Sequence, residues 1–244
     1  LEPERGLRLQ YFSTPAAQAA TEFLAQGYVY YEDKYKPVPY MDLTIVTGAG
    51  SVISNVLDYT KWIKALLSTT GPISKNGYKA LLTSRSILKQ EDDPLPFTGP
   101  QTYALGWFAG VYQGYDFFTH SGGMEAFGAE VIFFPKLQYG IVSLGNMAST
   151  SNAVEERLIW HLIDDKLDIP ESERFDWNKR FGILCSYFAP AHTSAETPTS
   201  YINRRRSTKM RSGFSTRAFL LLRYQPRSHC RTILARIIIL ATTI

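Results

Sequence analysis

The sequence is poor in metal ligands. Its 244 residues include 2 cysteines and 4 histidines. Cys185 and Cys230 are too few for a disulfide framework. No CxxC, no HExxH and no clustered His, Cys and Asp occur, so neither a metal nor another cofactor is expected. Long apolar runs are missing too. The run RIIILATTI falls well short of the ~20 apolar residues that span a bilayer, and no transmembrane span is expected. No basic-then-apolar leader precedes the first polar residues, and Leu1 is not a methionine, so the sequence names no compartment. Acid is absent from one region only. All 22 Asp and Glu lie in residues 1–200, against 16 of the 26 Lys and Arg, a balance of −6. Residues 201–244 hold the other 10 basic residues, a charge of +10.

What is present is globular. Hydrophobic residues are 45% and charged residues 20%, enough for one domain with a core, or a domain and an appendage. AAQAATEFLA suggests a short helix, GYVYYED a strand, and KPVPYMD a proline-punctuated loop. In TGAGSVISNVLDYTKWIKALLST, Gly48 and Gly50 permit a tight turn. Ser54 or Asn55 is the expected N-cap, with Asp58 placed as in a capping box. Tyr59, Trp62, Ile63, Leu66 and Leu67 then follow helical spacing, and Gly71-Pro72 ends the helix. A second short helix is expected from Lys75 to Thr83. QEDDPLPFTGPQ is a polar loop of the kind that flanks clefts.

From Tyr103 the period changes. YALGWFAGVY, YDFFTH, GAEVIFFP and YGIVSLGN read as four antiparallel strands, separated by Gly114, the Gly122-Gly123 pair and Lys136-Leu137-Gln138. EVIFF is nearly all apolar and must be covered on both faces. One cover is the helix VEERLIWHLIDDKL, with a stripe of Val154, Leu158, Ile159, Leu162 and Ile163. After Phe181 the periodicity weakens. The acid-free segment shows no strand–turn rhythm. Its charge and apolar patches would suit an anionic membrane or nucleic acid. The preferred reading is an unstructured or aberrant tail over 181–244, with no nucleic-acid partner expected.

Three blocks in fixed order carry a resemblance: TGAGSVISNVLDYTKWIKALL, YALGWF, and HSGGMEAFGAEVIFFPKLQYGIVSLGN. Together they resemble the C-terminal half of the serine β-lactamase-like superfamily, which includes class C β-lactamases, penicillin-binding proteins, D-amino-acid peptidases and related esterases. The resemblance covers residues 1–180. It implies an α+β fold in which helices flank an antiparallel sheet. In this chain that fold would lack its N-terminal strands and the nucleophile helix, leaving a sheet edge exposed. It also implies a serine acyl-enzyme mechanism on an amide, ester or lactam carbonyl of a small molecule or peptide, run by Ser-x-x-Lys, Tyr-x-Asn, and Lys-Thr-Gly or His-x-Gly.

His120-Ser121-Gly122 matches the third motif. By resemblance the Gly123 N–H is one oxyanion donor, and Gly122 lets substrate lie against the strand. His120 and Ser121 would serve the proton-moving network or a substrate carboxylate. LEPERGLRLQYFST resembles the segment that follows the first two motifs in the family, so neither motif has its proper place here. Ser86-Ile87-Leu88-Lys89 comes after that segment, and Tyr201-Ile202-Asn203 sits in the tail. Both are set aside as chance spacings. Trp107 and Phe108 are read as core aromatics, His161 as a core or half-exposed side chain, and Asn146 as a turn residue. The chain is expected to be inactive for want of its nucleophile. The alternative is a non-catalytic pseudoenzyme or interaction module whose basic tail binds anionic surfaces.

Overall fold

The computed structural model describes residues 24–31, 34–41, 47–50, 52–89, 95–124, 126–147 and 150–180. It also gives the backbone of strands at 10–11, 218–223 and 236–243. The chain runs β1 (Gln10–Tyr11), β2 (Gly27–Tyr31), β3 (Lys34–Val38), a helical turn α1 (Thr47–Gly50) and β4 (Val52–Ile53). Next come α2 (Val56–Ser68), α3 (Lys75–Leu82), β5 (Ser86–Ile87), β6 (Thr102–Tyr103) and β7 (Phe108–Tyr112). Then follow β8 (Tyr115–Met124), β9 (Phe127–Phe134), β10 (Tyr139–Gly145) and α4 (Ser151–Lys166). Last are β11 (Ala218–Arg223) and β12 (Arg236–Thr243). An eight-stranded antiparallel sheet has the order β11-β12-β10-β9-β8-β7-β6-β5.

β9 lies near the middle of that sheet and is covered on both sides, as EVIFF requires. Ile132 and Phe134 join Tyr139, Ile141, Ile159, Trp160 and Ile163 in the core under α4. Val131 and Phe133 join Val142, Val56, Ile63, Leu66 and Tyr78 in the core under α2 and α3. Alternate side chains of one strand thus enter two cores. Ile132, Phe133 and Phe134 are at most 1% exposed, each contributing about 1.5–3 kcal/mol by burial.

The helix signals hold. Asn55 is the N-cap of α2: its side-chain oxygen accepts from Asp58 N (3.0 Å), and its Nδ2 donates to Asp58 Oδ2 (3.0 Å). Thr69 ends α2 in the left-handed region (φ 52°), before Gly71-Pro72. On α4, Ile159 and Ile163 are buried and Val154, Leu158 and Leu162 pack at the margin of the core.

Four sequence expectations change. KPVPYMD is not all loop, because Lys34–Val38 is a strand. Pro37 is tolerated since, among the described residues, β3 pairs with β2 alone and its other edge is open. YALGWFAGVY is two strands, because the chain reverses at Ala104–Trp107 with Gly106 at φ 78°. Gly122 and Gly123 do not separate strands; they lie inside β8, and the turn to β9 follows Met124. The acid-free segment contains strands: β12 pairs with β10 and β11 with β12, so β10 is not an exposed edge. The run RIIILATT is rich in β-branched residues and fits a ladder beside β10. The expected helix in AAQAATEFLA, and most of 181–244, lie outside the described residues.

One polar contact crosses the α4 core. Tyr112 donates its hydroxyl hydrogen to Asp164 Oδ1 (2.6 Å), and each residue is 2% exposed. Burial, with Asp164 beside it, raises the Tyr112 pKa. Burial also raises that of Asp164, partly offset by this bond. Tyr112→Phe leaves the Asp164 carboxyl buried without its donor. It should cost about 1–3 kcal/mol, read as a lower urea midpoint; an unchanged midpoint would refute the role.

Candidate functional site

The site begins where β8 outruns β7. β7 pairs with Tyr115–Thr119 only, whereas β9 accompanies β8 from Phe118 to Met124. His120–Met124 therefore has a ladder on one edge and no strand partner on the other, among the described residues. The four residues singled out in the sequence all sit on this half-open stretch. Ser121, Gly122 and Gly123 are exposed and line a cleft of about 360 Å³, whose other walls are Phe108, Thr119, Glu130, Asn152 and Glu156. Phe108 is thus a cleft residue rather than a core one, while Trp107 is core.

His120 is held at both ring nitrogens. Nδ1 lies 2.6 Å from Ser121 O, and Nε2 lies 3.1 Å from Tyr103 Oη. A carbonyl only accepts, so Nδ1 carries a hydrogen; in the neutral ring, Nε2 then accepts from the Tyr103 hydroxyl. The Phe108 ring packs against the imidazole at 5.5 Å. Tyr103 and Phe108 are the first and last residues of the YALGWF block, which gives that block a direct physical tie to the third motif.

The start of α4 presses on the other face of this strand. A side chain on Gly128 would place its Cβ 2.6 Å from Ser151 Cβ. One on Gly145 would place it 2.5 Å from Ser151 Oγ and 2.6 Å from Glu155 Oε1. Glycine at both positions is a condition of that approach. Asn152 then reaches the sheet, donating from Nδ2 to Gly122 O (2.9 Å) and Ala129 O (3.3 Å). Gly122 and Ala129 are cross-strand partners, and one Asn152 nitrogen reaches the carbonyls of both, so the Gly122 carbonyl faces the seam with β9. The peptide is trans, and its N–H points opposite to its C=O. The Gly123 N–H is consequently directed to the open edge. At Gly122 a Cβ would meet only Ala129 Cβ, at 3.6 Å, so internal packing does not demand that glycine.

Carboxyl groups lie beneath the cleft. Glu130 is 8% exposed, between Ser121 and Ser143 on neighbouring strands. Burial pushes its pKa up to about 8; a hydrogen bond from Thr119 works against this, and the charge of Glu156 adds to it. Thr119 Oγ1 is 2.6 Å from Glu130 Oε1 and 2.8 Å from Val131 O. The one Thr119 hydroxyl hydrogen is thus directed at two acceptors, the Glu130 carboxyl and the Val131 carbonyl. Glu155 is 0% exposed, and neither of its carboxyl oxygens has a hydrogen-bond partner among the described residues. Burial and then the Glu130 charge push it to about 8 as well.

Residues 6–163 match the family model described as Beta-lactamase. The chain belongs to the β-lactamase family. It is 41% identical over 177 residues to a protein of Aspergillus campestris named unguisins hydrolase ungD', covering 71% of this chain and 33% of that one. It is 35% identical over 195 residues to unguisins hydrolase ungD of Aspergillus violaceofuscus, covering 72% and 34%. The chain thus spans about a third of the length of these curated relatives. Among solved structures, an octameric penicillin-binding protein homologue from Pyrococcus abyssi superposes with TM-score 0.53 at 20% identity, covering 64% of this chain and 34% of that one. That likeness establishes the fold, an α+β arrangement of an antiparallel sheet and flanking helices.

The other candidates fall elsewhere. Ser86 is exposed on the two-residue strand β5, and Lys89 is exposed after it. They lack the helical i, i+3 geometry that puts two side chains on one face. Tyr201 and Asn203 lie outside the described residues. His161 is half-exposed, 3.7 Å from Asp165 and 3.2 Å from Arg174 Nη1. Asn146 ties the sheet to β2, donating to Gln26 O (2.8 Å) and accepting from Tyr28 N (3.0 Å). Asn152, Tyr103 and Glu130 were missed in the sequence. Only Glu130 left a signal there, as a lone acid inside the apolar run GAEVIFF.

Two outcomes follow. Asn152→Ala removes both donors and should cost about 1 kcal/mol while turning the Gly123 N–H vector, measurable by residual dipolar couplings. An unmoved vector would count against the clamp. Glu130 and Glu155 are raised from an ordinary value of 4.5. The folded state then holds protons that the unfolded state has released. Stability should fall as pH rises from about 5 to 8, by up to about 1.4 kcal/mol per unit for each group. Glu155→Gln should flatten the slope of urea midpoint against pH.

Proposed function

We propose that this chain forms one wall of a serine hydrolase or transacylase site, and that the site cleaves an amide, ester or lactam carbonyl through an acyl-enzyme. The observation that carries the reading is the open-edge N–H of Gly123, set by Asn152 and placed just after His120-Ser121-Gly122. A carbonyl oxygen gaining charge in the transition state needs such preorganised donors. The nucleophile's own N–H is the second donor. His120, held by Tyr103, borders the path along which a serine proton would move. Two relatives named unguisins hydrolases support hydrolysis as the outcome and a peptide or small molecule as the substrate class.

The nucleophile in this reading belongs to a Ser-x-x-Lys outside these 244 residues, together with Tyr-x-Asn. The 244-residue chain should give no stoichiometric labelling with a fluorophosphonate or a fluorescent penicillin. Labelling that Ser86→Ala abolishes would overturn the assignment. A chimera that joins this chain to the part of the Aspergillus campestris relative that it does not match should label and hydrolyse a nitrophenyl ester. In it, Gly123→Pro, which removes the N–H, should lower kcat by about 10²–10³, while Gly123→Ala should be far milder. Equal effects of the two substitutions would reject Gly123 as a donor.

A further inference from the structure

We propose that the His120 imidazole is a stop on the open edge of β8, selecting substrates that pair with that edge at Gly123 alone. The proposal rests on the reading of this strand as a site wall, and it specifies how much of a peptide-like substrate the wall accepts. The direction of each edge group follows from the hairpin before it. Gln113 and Gly114 (φ 49° and 78°) form a two-residue turn that closes on Tyr112 and Tyr115. The closing pair of such a turn exchanges both backbone hydrogen bonds. Tyr115 and every second residue after it therefore point N–H and C=O to the β7 side. Phe117 and Thr119 meet β7 there. Ser121 and Gly123 point to the same side after β7 has ended. The Gly122 carbonyl, held by Asn152 at the seam with β9, faces away from it, as the alternation requires.

An added antiparallel strand would pair with Gly123 and then with Ser121, exchanging two hydrogen bonds at each. The second pairing is obstructed by the chain itself. His120 Nδ1 lies 2.6 Å from Ser121 O, so the imidazole N–H already occupies the carbonyl that the ligand would need. The ring is also braced where it stands. Tyr103 Oη meets Nε2 at 3.1 Å, and the Phe108 and Tyr103 rings lie 5.5 Å and 6.1 Å from the imidazole. Tyr103 and Phe108 pack edge to face on each other at 4.7 Å. Both braces come from the hairpin whose end leaves the gap, for Phe108 is the last β7 residue to pair with β8. Displacing His120 thus breaks contacts at both of its nitrogens. Gly123 carries no side chain of its own. A substrate therefore presents one residue to Gly123 and bends away before Ser121. A histidine that only packs the strand would impose no dependence on ligand length.

The test uses the 244-residue chain and needs no turnover, so it stands apart from the nucleophile question. Amide shifts of Ser121 and Gly123 are followed by NMR during titration with N-acetyl-alanine methylamide and with the N-acetylated methylamide of tri-alanine. The shorter probe can pair at one edge residue, the longer at two. In the unaltered chain both should shift Gly123 saturably and leave Ser121 unmoved, with affinities within about twofold of each other. His120→Gly should let the longer probe bind about 10-fold tighter than the shorter one and shift Ser121 as well, because two further backbone hydrogen bonds form. Tyr103→Phe removes only the brace on Nε2. It should give part of that gain, about 3-fold, with the tryptophan emission unchanged. An unaltered chain whose affinity already rises about 10-fold with length, no gain with length in either variant, or no saturable shift at Gly123 with either probe would overturn the proposal. Loss of ester hydrolysis in the chimera with this length cut-off intact would instead reject the catalytic reading alone.

Discussion

The site depends on how closely the first turn of α4 can approach the sheet. Gly128 and Gly145 remove side chains that would collide with Ser151 and Glu155. That clearance lets Asn152 hold the Gly122 carbonyl, and the trans peptide then turns the Gly123 N–H to the open edge. A catalytic strand needs a fixed donor, but an edge strand lacks the second ladder that would fix it. The helix supplies the missing restraint from above the sheet.

The same approach creates an electrostatic burden. Glu155 enters the protein on the second turn of α4 and meets Glu130 from β9, with no basic partner among the influences that set either pKa. Burying carboxyls this way favours their neutral forms and makes folding sensitive to pH. Natural structures accept such local costs chiefly where a site requires them. The apolar layers carry the fold regardless. β9 contributes to both cores, and aromatic contacts such as Trp160 against Trp177 at 5.4 Å extend the α4 side. Those layers keep the acid-bearing end of the sheet in place.

Much of the architecture was legible because it follows from period. The capping box at Asn55, the apolar spacing of α2 and α4, and the double-sided burial of EVIFF all follow from local chemistry. Errors arose where tertiary pairing outweighs composition. Gly122-Gly123 reads as a corner when glycines are taken as turn formers, yet ladder bonds to β9 carry β8 straight through them. Pro37 reads as a loop residue, but it sits in a strand that has one partner among the described residues. RIIILATT reads as an apolar patch in a basic tail until β10 offers an edge to pair with. The site was legible only as one strand. His120, Ser121, Gly122 and Gly123 share a motif, but Tyr103, Asn152 and Glu130 are brought to it from β6, α4 and β9.

The sequence by itself determined the helices, the central strands, the family and the segment on which the candidate chemistry lies, since each is written in a short run of neighbouring residues. It also determined the charge split between residues 1–200 and 201–244. Only the tertiary structure decided which edge of β8 stays open, which peptide hydrogen faces that edge, and which charges surround the cleft. These depend on groups far apart in the chain, such as Gly122 with Asn152 and Glu130 with Glu155. Their meeting is fixed by strand register and by the clearance between helix and sheet, and neither is encoded in any one stretch of sequence.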